Sequence, residues 1–222
     1  MTSKILSALC CVSVAAVASA AMADNVLKVA PAVHYTGKVV ANQNVNSPDA
    51  PVVIFNNLGT DPLNLYNALE GGYYVSGPNS LTVGTSQWIA VPFATKAAAV
   101  HAKKLQAAIG WIEGTKQVRL AIYTDAGGIV GTPVTGGGGV ASTIPDLGVC
   151  CDLVTVTLPG AGAALTANTK YWLVALSTNG AQDLTSAWQS SVLYNIGGDV
   201  TNGGWFTFSA LVPAGKISGT NP

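Results

Sequence analysis

Alternating side-chain patterns dominate this chain and predict strands. The clearest segment is Leu165–Ser177 (LTANTKYWLVALS), where side chains from Tyr171 onward point to opposite faces and both faces are apolar. A strand that is apolar on both faces is typical of one covered by protein on either side. The turn residues Asn168-Thr169 and Thr178–Gly180 mark its two ends. We therefore expect a buried central strand at this position.

Shorter segments with strand character are found on both sides of this central strand. They lie at Val52–Phe55, Tyr73–Ser76, Gln87–Phe93, Gln117–Thr124, Leu153–Leu158, Ser186–Ser190 and Trp205–Leu211, which is predicted to be the last strand. Segments rich in turn residues predict loops at Asn56–Gly72, Gly131–Gly139 and Gly197–Gly204. The patterns predict buried side chains at Leu120, Ile122, Val156, Trp172, Val174 and Leu176. About ten short strands with frequent turns predict an all-β fold, a two-sheet antiparallel β-sandwich or jelly roll.

Two local features qualify this pattern. Thr95–Ile112 fits a helix capped by Thr95 as well as a strand, but the strand-like neighbours and Gly110 favour a strand over at least Lys104–Ile112. Pro92 lacks a backbone donor, which predicts that the strand Gln87–Phe93 lies at a sheet edge or that Pro92 lies near the end of that strand.

The N-terminal residues have the pattern of a secretory signal peptide. Lys4 precedes the apolar run Ile5–Val17, and small-residue cleavage patterns follow it. We expect cleavage after Ala23, so residues 1–23 form the signal peptide. Residues 24–50 form an extended or strand-like extension, and residues 51–222 form the sandwich domain. The apolar run is too short to span a bilayer, and no lipid anchor is expected because Leu9 precedes Cys10-Cys11.

Charge is scarce in this chain, since only 9% of its residues are charged. Without Lys4, nine basic and ten acidic residues remain, a net charge of about −1. Such a balance gives no long-range attraction to nucleic acid or to an anionic membrane. A nearly neutral surface of small polar residues also opposes self-association only weakly, which favours a structural or adhesive role.

The order of several motifs resembles a known family. SQWIAVPF, VRLAIYTDAGGIVGTPV, LGVCC, LTANTKYWLVALS and SAWQSS resemble the choice-of-anchor R type of secreted bacterial β-sandwich domain, over roughly residues 52–209. The resemblance implies an exported protein. It carries no established activity onto named residues. Such domains often end in a surface-sorting signal, whereas AGKISGTNP contains neither its hydrophobic tail nor its basic stop.

The residues typical of catalysis are sparse. His34 and His101 are the two histidines, and Glu70 and Glu113 are the two glutamates. No Gly-x-Ser-x-Gly elbow accompanies them, and the glutamates adjoin glycines in predicted turns. We therefore expect no enzyme and no bound cofactor. Calcium remains an alternative because it accepts loop carboxylates, with candidate ligands Asp125, Asp199 and Asn202 in glycine-rich turns. These side chains would otherwise hydrogen-bond to their own turns.

Tryptophans provide a second candidate chemistry. Carbohydrate-binding sandwich domains stack exposed aromatic rings on sugar faces, but most tryptophans on alternating strands are core residues. Trp188 and Trp205 adjoin polar or glycine-rich segments and are the candidate ligand contacts. The chain is thus predicted to be a secreted or cell-surface protein. We expect a non-enzymatic structural or adhesion domain that self-associates, with a carbohydrate-binding module that binds a surface glycan as the alternative.

Cys150 and Cys151 are the cysteines that remain after the signal peptide is removed. Export places them in an oxidising compartment, where free thiols rarely persist. They are predicted to form a disulfide between neighbours, although ring geometry disfavours such a bond. Two buried thiols and a bond to another molecule remain as alternatives.

Overall fold

The computed structural model describes residues 29–30, 52–148, 150–193, 196–201 and 205–222. The fold of these residues is all-β, with strands that pair antiparallel in three sheets. The strands are β1 (Val29–Ala30), β2 (Val52–Asn56), β3 (Asn67–Ser76), β4 (Ile89–Ala94), β5 (Val100–Ala107), β6 (Ile109–Glu113), β7 (Val118–Asp125), β8 (Val130–Ala141), β9 (Val154–Thr157), β10 (Ala163–Leu165), β11 (Lys170–Leu176), β12 (Thr185–Ser190), β13 (Ile196–Thr201), β14 (Trp205–Leu211) and β15 (Gly215–Thr220).

The largest sheet has six strands in the order β14-β13-β4-β11-β7-β8. The five-stranded sheet has the order β10-β5-β15-β2, with β9 also paired to β5. The four-stranded sheet has the order β1-β3-β12-β6. The predicted central strand, β11, lies inside the largest sheet, where it pairs with β4 and β7.

The two smaller sheets are joined by one nearly continuous stretch of chain. Strands β5 and β6 are separated only by Ala108, whose N–H donates to the Ala214 carbonyl at 3.0 Å. The carbonyl of Ala108 accepts from the Gln189 N–H at 2.8 Å. Side chains from all three sheets then pack in one main core, among them Leu105, Ile217, Ile109, Trp188, Leu120 and Leu173. This arrangement is consistent with the predicted β-sandwich, although the strands form three sheets where the pattern predicted two.

Both faces of β11 are covered, as its sequence predicts. Tyr171, Leu173 and Ala175 belong to the main core, whereas Trp172 and Val174 belong to a second cluster on the opposite face. The six side chains predicted to be buried are each at most 7% exposed. The ambiguous segment is also resolved as strand, because Lys104–Ile112 lies within β5 and β6 apart from Ala108.

The predicted loop Gly131–Gly139 is wrong, because it lies within the twelve-residue strand β8. Backbone hydrogen bonds need no side chain, so a glycine-rich segment can pair wherever a neighbouring strand holds it. The absence of side chains also permits close packing. A Cβ placed on Gly139 would lie 2.5 Å from Cγ1 of Val156, so β8 approaches β9 at this position.

Three other boundaries differ from the sequence prediction. β3 begins at Asn67, inside the predicted loop Asn56–Gly72, and β13 covers the whole described part of the predicted loop Gly197–Gly204. Trp205–Leu211 is a strand but is followed by β15, which lies between β5 and β2. β15 contains Gly215, Gly219 and Ser218, so its composition resembles a loop more than an interior strand.

Strand β4, which contains Pro92, lies inside its sheet between β13 and β11. β13 pairs with β4 at Ile89 and Ala90, whereas β11 pairs along its whole length. The predicted sheet-edge position is therefore wrong for the strand as a whole. Among the described residues, however, the half of β4 that contains Pro92 has a strand neighbour on one side only, where a missing donor is tolerated as it is at an edge.

The N-terminal predictions lie mostly outside the described residues. This holds for the signal peptide 1–23, for the lipid-anchor expectation at Cys10-Cys11, and for the extension 24–50 except at Val29–Ala30. That pair of residues adds a short strand to β3, opposite Tyr73 and Gly72. In the part of the chain that the structure describes, no helix is long and apolar enough to cross a membrane.

Candidate functional site

The six-stranded sheet carries a group of aromatic side chains on the face turned away from the main core. We call it the outer aromatic cluster, and it comprises Trp88, Tyr123, Trp172 and Trp205 packed around Ala90, Val130, Val174 and Leu176. Strand pairing brings these residues together from distant parts of the sequence. Trp172 lies opposite Tyr123 on β7, and Val174 lies opposite Ala90 on β4.

A polar pair lies beside the buried ring at the centre of this cluster. The Nε1 of Trp172 donates to Oδ1 of Asp125 at 2.9 Å, and the Nζ of Lys170 lies 3.2 Å from the same oxygen. The Lys170 ammonium is also 4.6 Å from the centroid of the Trp172 ring, which is within cation–π distance. The position of Lys170 follows from the period of two, since residues 170 and 172 share one face of β11.

Asp125 is held as a carboxylate by its neighbours. Burial raises its pKa, but donation from the Gly128 N–H, from Trp172 and from Lys170 outweighs burial, so the pKa lies below the ordinary value. The Gly128 N–H donates to the second oxygen, Oδ2, at 3.0 Å. Both carboxylate oxygens are therefore engaged by donors within the protein.

These contacts bear on the predicted calcium site. A cation at Asp125 would compete with the Lys170 ammonium and with the Trp172 donor. Asn202 and the side chain of Asp199 lie outside the described part of the chain. Among the described residues, no three His, Cys, Asp or Glu side chains are grouped as metal ligands would be.

Trp205 and Trp88 form the more accessible part of the cluster. Their ring centroids are 6.3 Å apart with the planes tilted by 60°, and both side chains are only partly buried. Tyr123 is also partly buried; burial raises its pKa, and the charge of Arg119 lowers it less. Trp205 thus remains a candidate ligand contact.

Trp188 does not fit the predicted role of an exposed ligand contact. Its side chain is fully buried, and its Nε1 donates to the Ala214 carbonyl at 2.8 Å. The polar residues next to Trp188 in the sequence favoured the prediction that it is exposed. Instead, β12 lies between β3 and β6, and all six residues of β12 are buried. Ser186, for example, donates to the Val75 carbonyl at 3.2 Å, so a polar residue is satisfied inside the fold.

Cys150 and Cys151 form a close pair, joined as a disulfide between neighbours. Together with Leu65 and Leu153, the pair packs against a small buried group of Leu58, Tyr66, Ala108 and Ala214. The disulfide thus lies in the turn segment before β9, a strand of the five-stranded sheet, whereas the outer aromatic cluster lies on the six-stranded sheet.

Of the residues weighed for catalysis, the structure describes the side chains of Glu113 and His101, and each contacts a different part of the fold. Glu113 accepts from the Thr82 N–H at 2.7 Å and from Thr185 Oγ1 at 2.8 Å, and these donors lower its pKa. The His101 ring lies 3.2 Å from the Ala161 carbonyl. His34 and the side chain of Glu70 lie outside the described residues. The hydrogen bonds of Glu113 tie strand and turn segments together.

Sequence reasoning singled out Trp205 but missed Tyr123 and Lys170 as its companions. The signal for Lys170 was present, since it lies two residues before Trp172 on the same strand. Alternation places Tyr123 on the face opposite Ile122, but only the pairing of β7 with β11 shows that it lies opposite Trp172.

The chain was compared with family models, with curated proteins and with solved structures, and no match was found in any of the three comparisons.

Proposed function

We propose that this chain is an exported, non-enzymatic β-sandwich that serves as an extracellular or cell-surface structural or adhesion domain. Its contact surface is the outer aromatic cluster. The observation that carries the proposal is the partly buried state of Trp88, Tyr123 and Trp205 on an outer sheet face. Aromatic side chains in such positions supply large contact areas at low conformational cost, as they do at protein interfaces.

Export and composition support the same proposal. Residues 1–23 have the pattern of a signal peptide, and the motif order resembles secreted choice-of-anchor domains. Only 9% of the residues are charged, so two copies would approach with little electrostatic repulsion. Self-association through the outer aromatic cluster is the simplest form of adhesion that these features favour.

Binding of a surface glycan is the second candidate. The tilted rings of Trp88 and Trp205 favour it, because aromatic faces stack on sugar rings. The Lys170–Asp125 pair beside Trp172 adds a donor and an acceptor of the kind that sugar hydroxyls use.

Sedimentation of the mature chain over a range of concentrations tests the first candidate. We expect concentration-dependent assembly that is weakened in Trp205→Ser. Leu81→Ser is the matched control, because Leu81 is 90% exposed and does not belong to the cluster. Equal assembly of wild type and Trp205→Ser would contradict the proposed contact surface.

A glycan array distinguishes the two candidates. Binding to a defined glycan that is lost in Trp205→Ala and kept in Leu81→Ala would favour the carbohydrate-binding function. A wild-type chain that neither assembles nor binds any glycan would refute both.

A further inference from the structure

A pocket lies on the opposite side of the molecule from the sheet that carries the outer aromatic cluster. Its volume is about 520 Å³, within the range of about 300–1,000 Å³ that is typical of small-molecule sites. One wall is the outer face of the five-stranded sheet. The facing wall comes from the chain that follows β2 and from the segment beside the disulfide, with Leu58, Leu65, Cys151 and Leu153.

The sheet wall is a polar row that strand pairing assembles. Lys216 on β15 lies opposite Asn56 on one side and Gln106 on the other, and Gln106 lies opposite Thr155 on β9. Four strands therefore place four polar side chains in one line. Gln106 donates to Thr155 Oγ1 at 3.3 Å, which holds two members of the row together.

Two ammonium groups give this pocket its charge. Lys104 shares the outward face of β5 with Gln106 and lines the pocket together with Lys216. Among the described residues the ion pairs are Lys116–Asp146 and Lys170–Asp125, so neither pocket lysine has a carboxylate partner there. Asp152 is the acidic residue among those that line the pocket. The lining thus has a net charge of about +1, which complements a monoanion.

The facing wall is chemically different. Leu58 is buried, while Leu65, Leu153 and Cys151 are partly buried around it, and Cys151 is the half of the disulfide that lines the pocket. A ligand that fills the space would place an apolar body against this wall and a charged end toward the lysines. Pockets that combine an apolar wall with a few placed polar groups are typical of small-molecule sites.

From this lining we propose that the pocket binds a small organic acid. One carboxylate lies between Lys104 and Lys216, with Gln106 and Asn56 as neighbouring hydrogen-bond donors. A short aliphatic or ring body lies against the leucines and the disulfide. This inference does not rest on the proposed function, because the pocket and the outer aromatic cluster lie on different sheets.

Calorimetric titration of the mature chain tests the site, with benzoate as the probe. We expect saturable binding of benzoate, and binding weaker by roughly tenfold or more for benzyl alcohol, which lacks the charge, and for acetate, which lacks the ring. No saturable benzoate binding up to about 10 mM would overturn the proposal. Acetate or glucuronate that binds as tightly as benzoate would overturn the role of the apolar wall.

Variants of the lysines locate the binding site. Lys104→Gln and Lys216→Gln should each weaken benzoate binding by roughly tenfold, because each removes one charged donor. Lys103→Gln is the matched control, since the Lys103 ammonium donates to the Gly160 carbonyl at 2.9 Å and does not line the pocket. Equal weakening in Lys103→Gln would show a general charge effect and overturn the assignment.

Two further variants separate a loss of binding from misfolding and from an effect of the outer aromatic cluster. Lys216→Arg retains the charge and should keep most of the affinity, which guards against misfolding of the Gln variants. Trp205→Ser should bind benzoate as wild type does, whatever it does to assembly. Loss of benzoate binding in Trp205→Ser would contradict a separate site at the five-stranded sheet.

Discussion

At the scale of single residues, three tryptophans illustrate how neighbours decide a role. Trp172 and Trp188 are both buried, and each indole N–H is satisfied, by Asp125 and by the Ala214 carbonyl respectively. Trp205 is only partly buried because it lies on the outer face of the largest sheet. A buried indole needs one hydrogen-bond acceptor, and the fold supplies it in two different ways.

Asp125 leads to a prediction on acid stability. Its pKa is lowered in the folded state, so its contribution is complete above the unfolded pKa of about 3.9 and is lost as the pH falls through the folded value. Asp125→Asn should therefore lower the melting temperature at pH 7. The gap to wild type should narrow as the pH falls from about 5 to about 2.

Thermal unfolding followed by circular dichroism at several pH values measures this gap. Asp152→Asn serves as the control, because Asp152 is exposed and forms no ion pair among the described residues. A gap of constant size across the acid range would show that the Asp125 carboxylate does not contribute through its charge.

At the scale of elements, the distance to the neighbouring backbone decides where a glycine can be replaced. Gly162 precedes β10 and has a φ of +75°, and a Cβ on it would lie 2.0 Å from the Ala102 carbonyl oxygen on β5. Gly127 in the turn between β7 and β8 also has a φ of +75°, but a Cβ there would meet nothing within 4 Å. The two glycines therefore share a positive φ and differ in the space around them.

This pair of glycines gives a matched prediction. Gly127→Ala should cost about 1–2 kcal/mol, from the left-handed conformation alone. Gly162→Ala should cost about 2–5 kcal/mol, because the added methyl group also forces β10 away from β5. Urea denaturation of both variants measures the difference, and equal costs would show that the backbone at Gly162 moves aside freely.

At the scale of the whole molecule, three sheets share one main core. The stretch β5–β6 belongs to both smaller sheets, and Trp188 of the four-stranded sheet packs in the same core as Leu173 of the six-stranded sheet. Because the side chains of all three sheets pack against one another in this core, unfolding of one sheet would remove packing contacts from the other two.

We therefore expect the described domain to unfold in a single cooperative transition. Far-UV circular dichroism reports all of the strands, and tryptophan fluorescence reports the core and the outer aromatic cluster. The two probes should give the same midpoint in urea. Separate midpoints would indicate that the outer cluster or one of the sheets unfolds independently.

The sequence alone determined the fold class and the buried strand at its centre. The alternation from Tyr171 to Leu176 is local information, because side chains two residues apart share a face whatever strand lies beside them. For the same reason Leu120, Ile122 and Val156 could be assigned to the interior before any pairing was known. The signal for a candidate site was weaker, since Trp205 was identified but Trp188 was misplaced.

Only the tertiary structure decided which strands pair and which distant side chains come together as a result. Glycine-rich β8 and β15 are strands because neighbouring backbones hold them, and their own side chains carry little signal. Cys151 and Lys216 lie 65 positions apart in the sequence, yet they line one pocket because β15 lies between β2 and β5. Local periodicity specifies which face a side chain takes, whereas the partners across that face come from long-range contacts, which no single stretch of sequence contains.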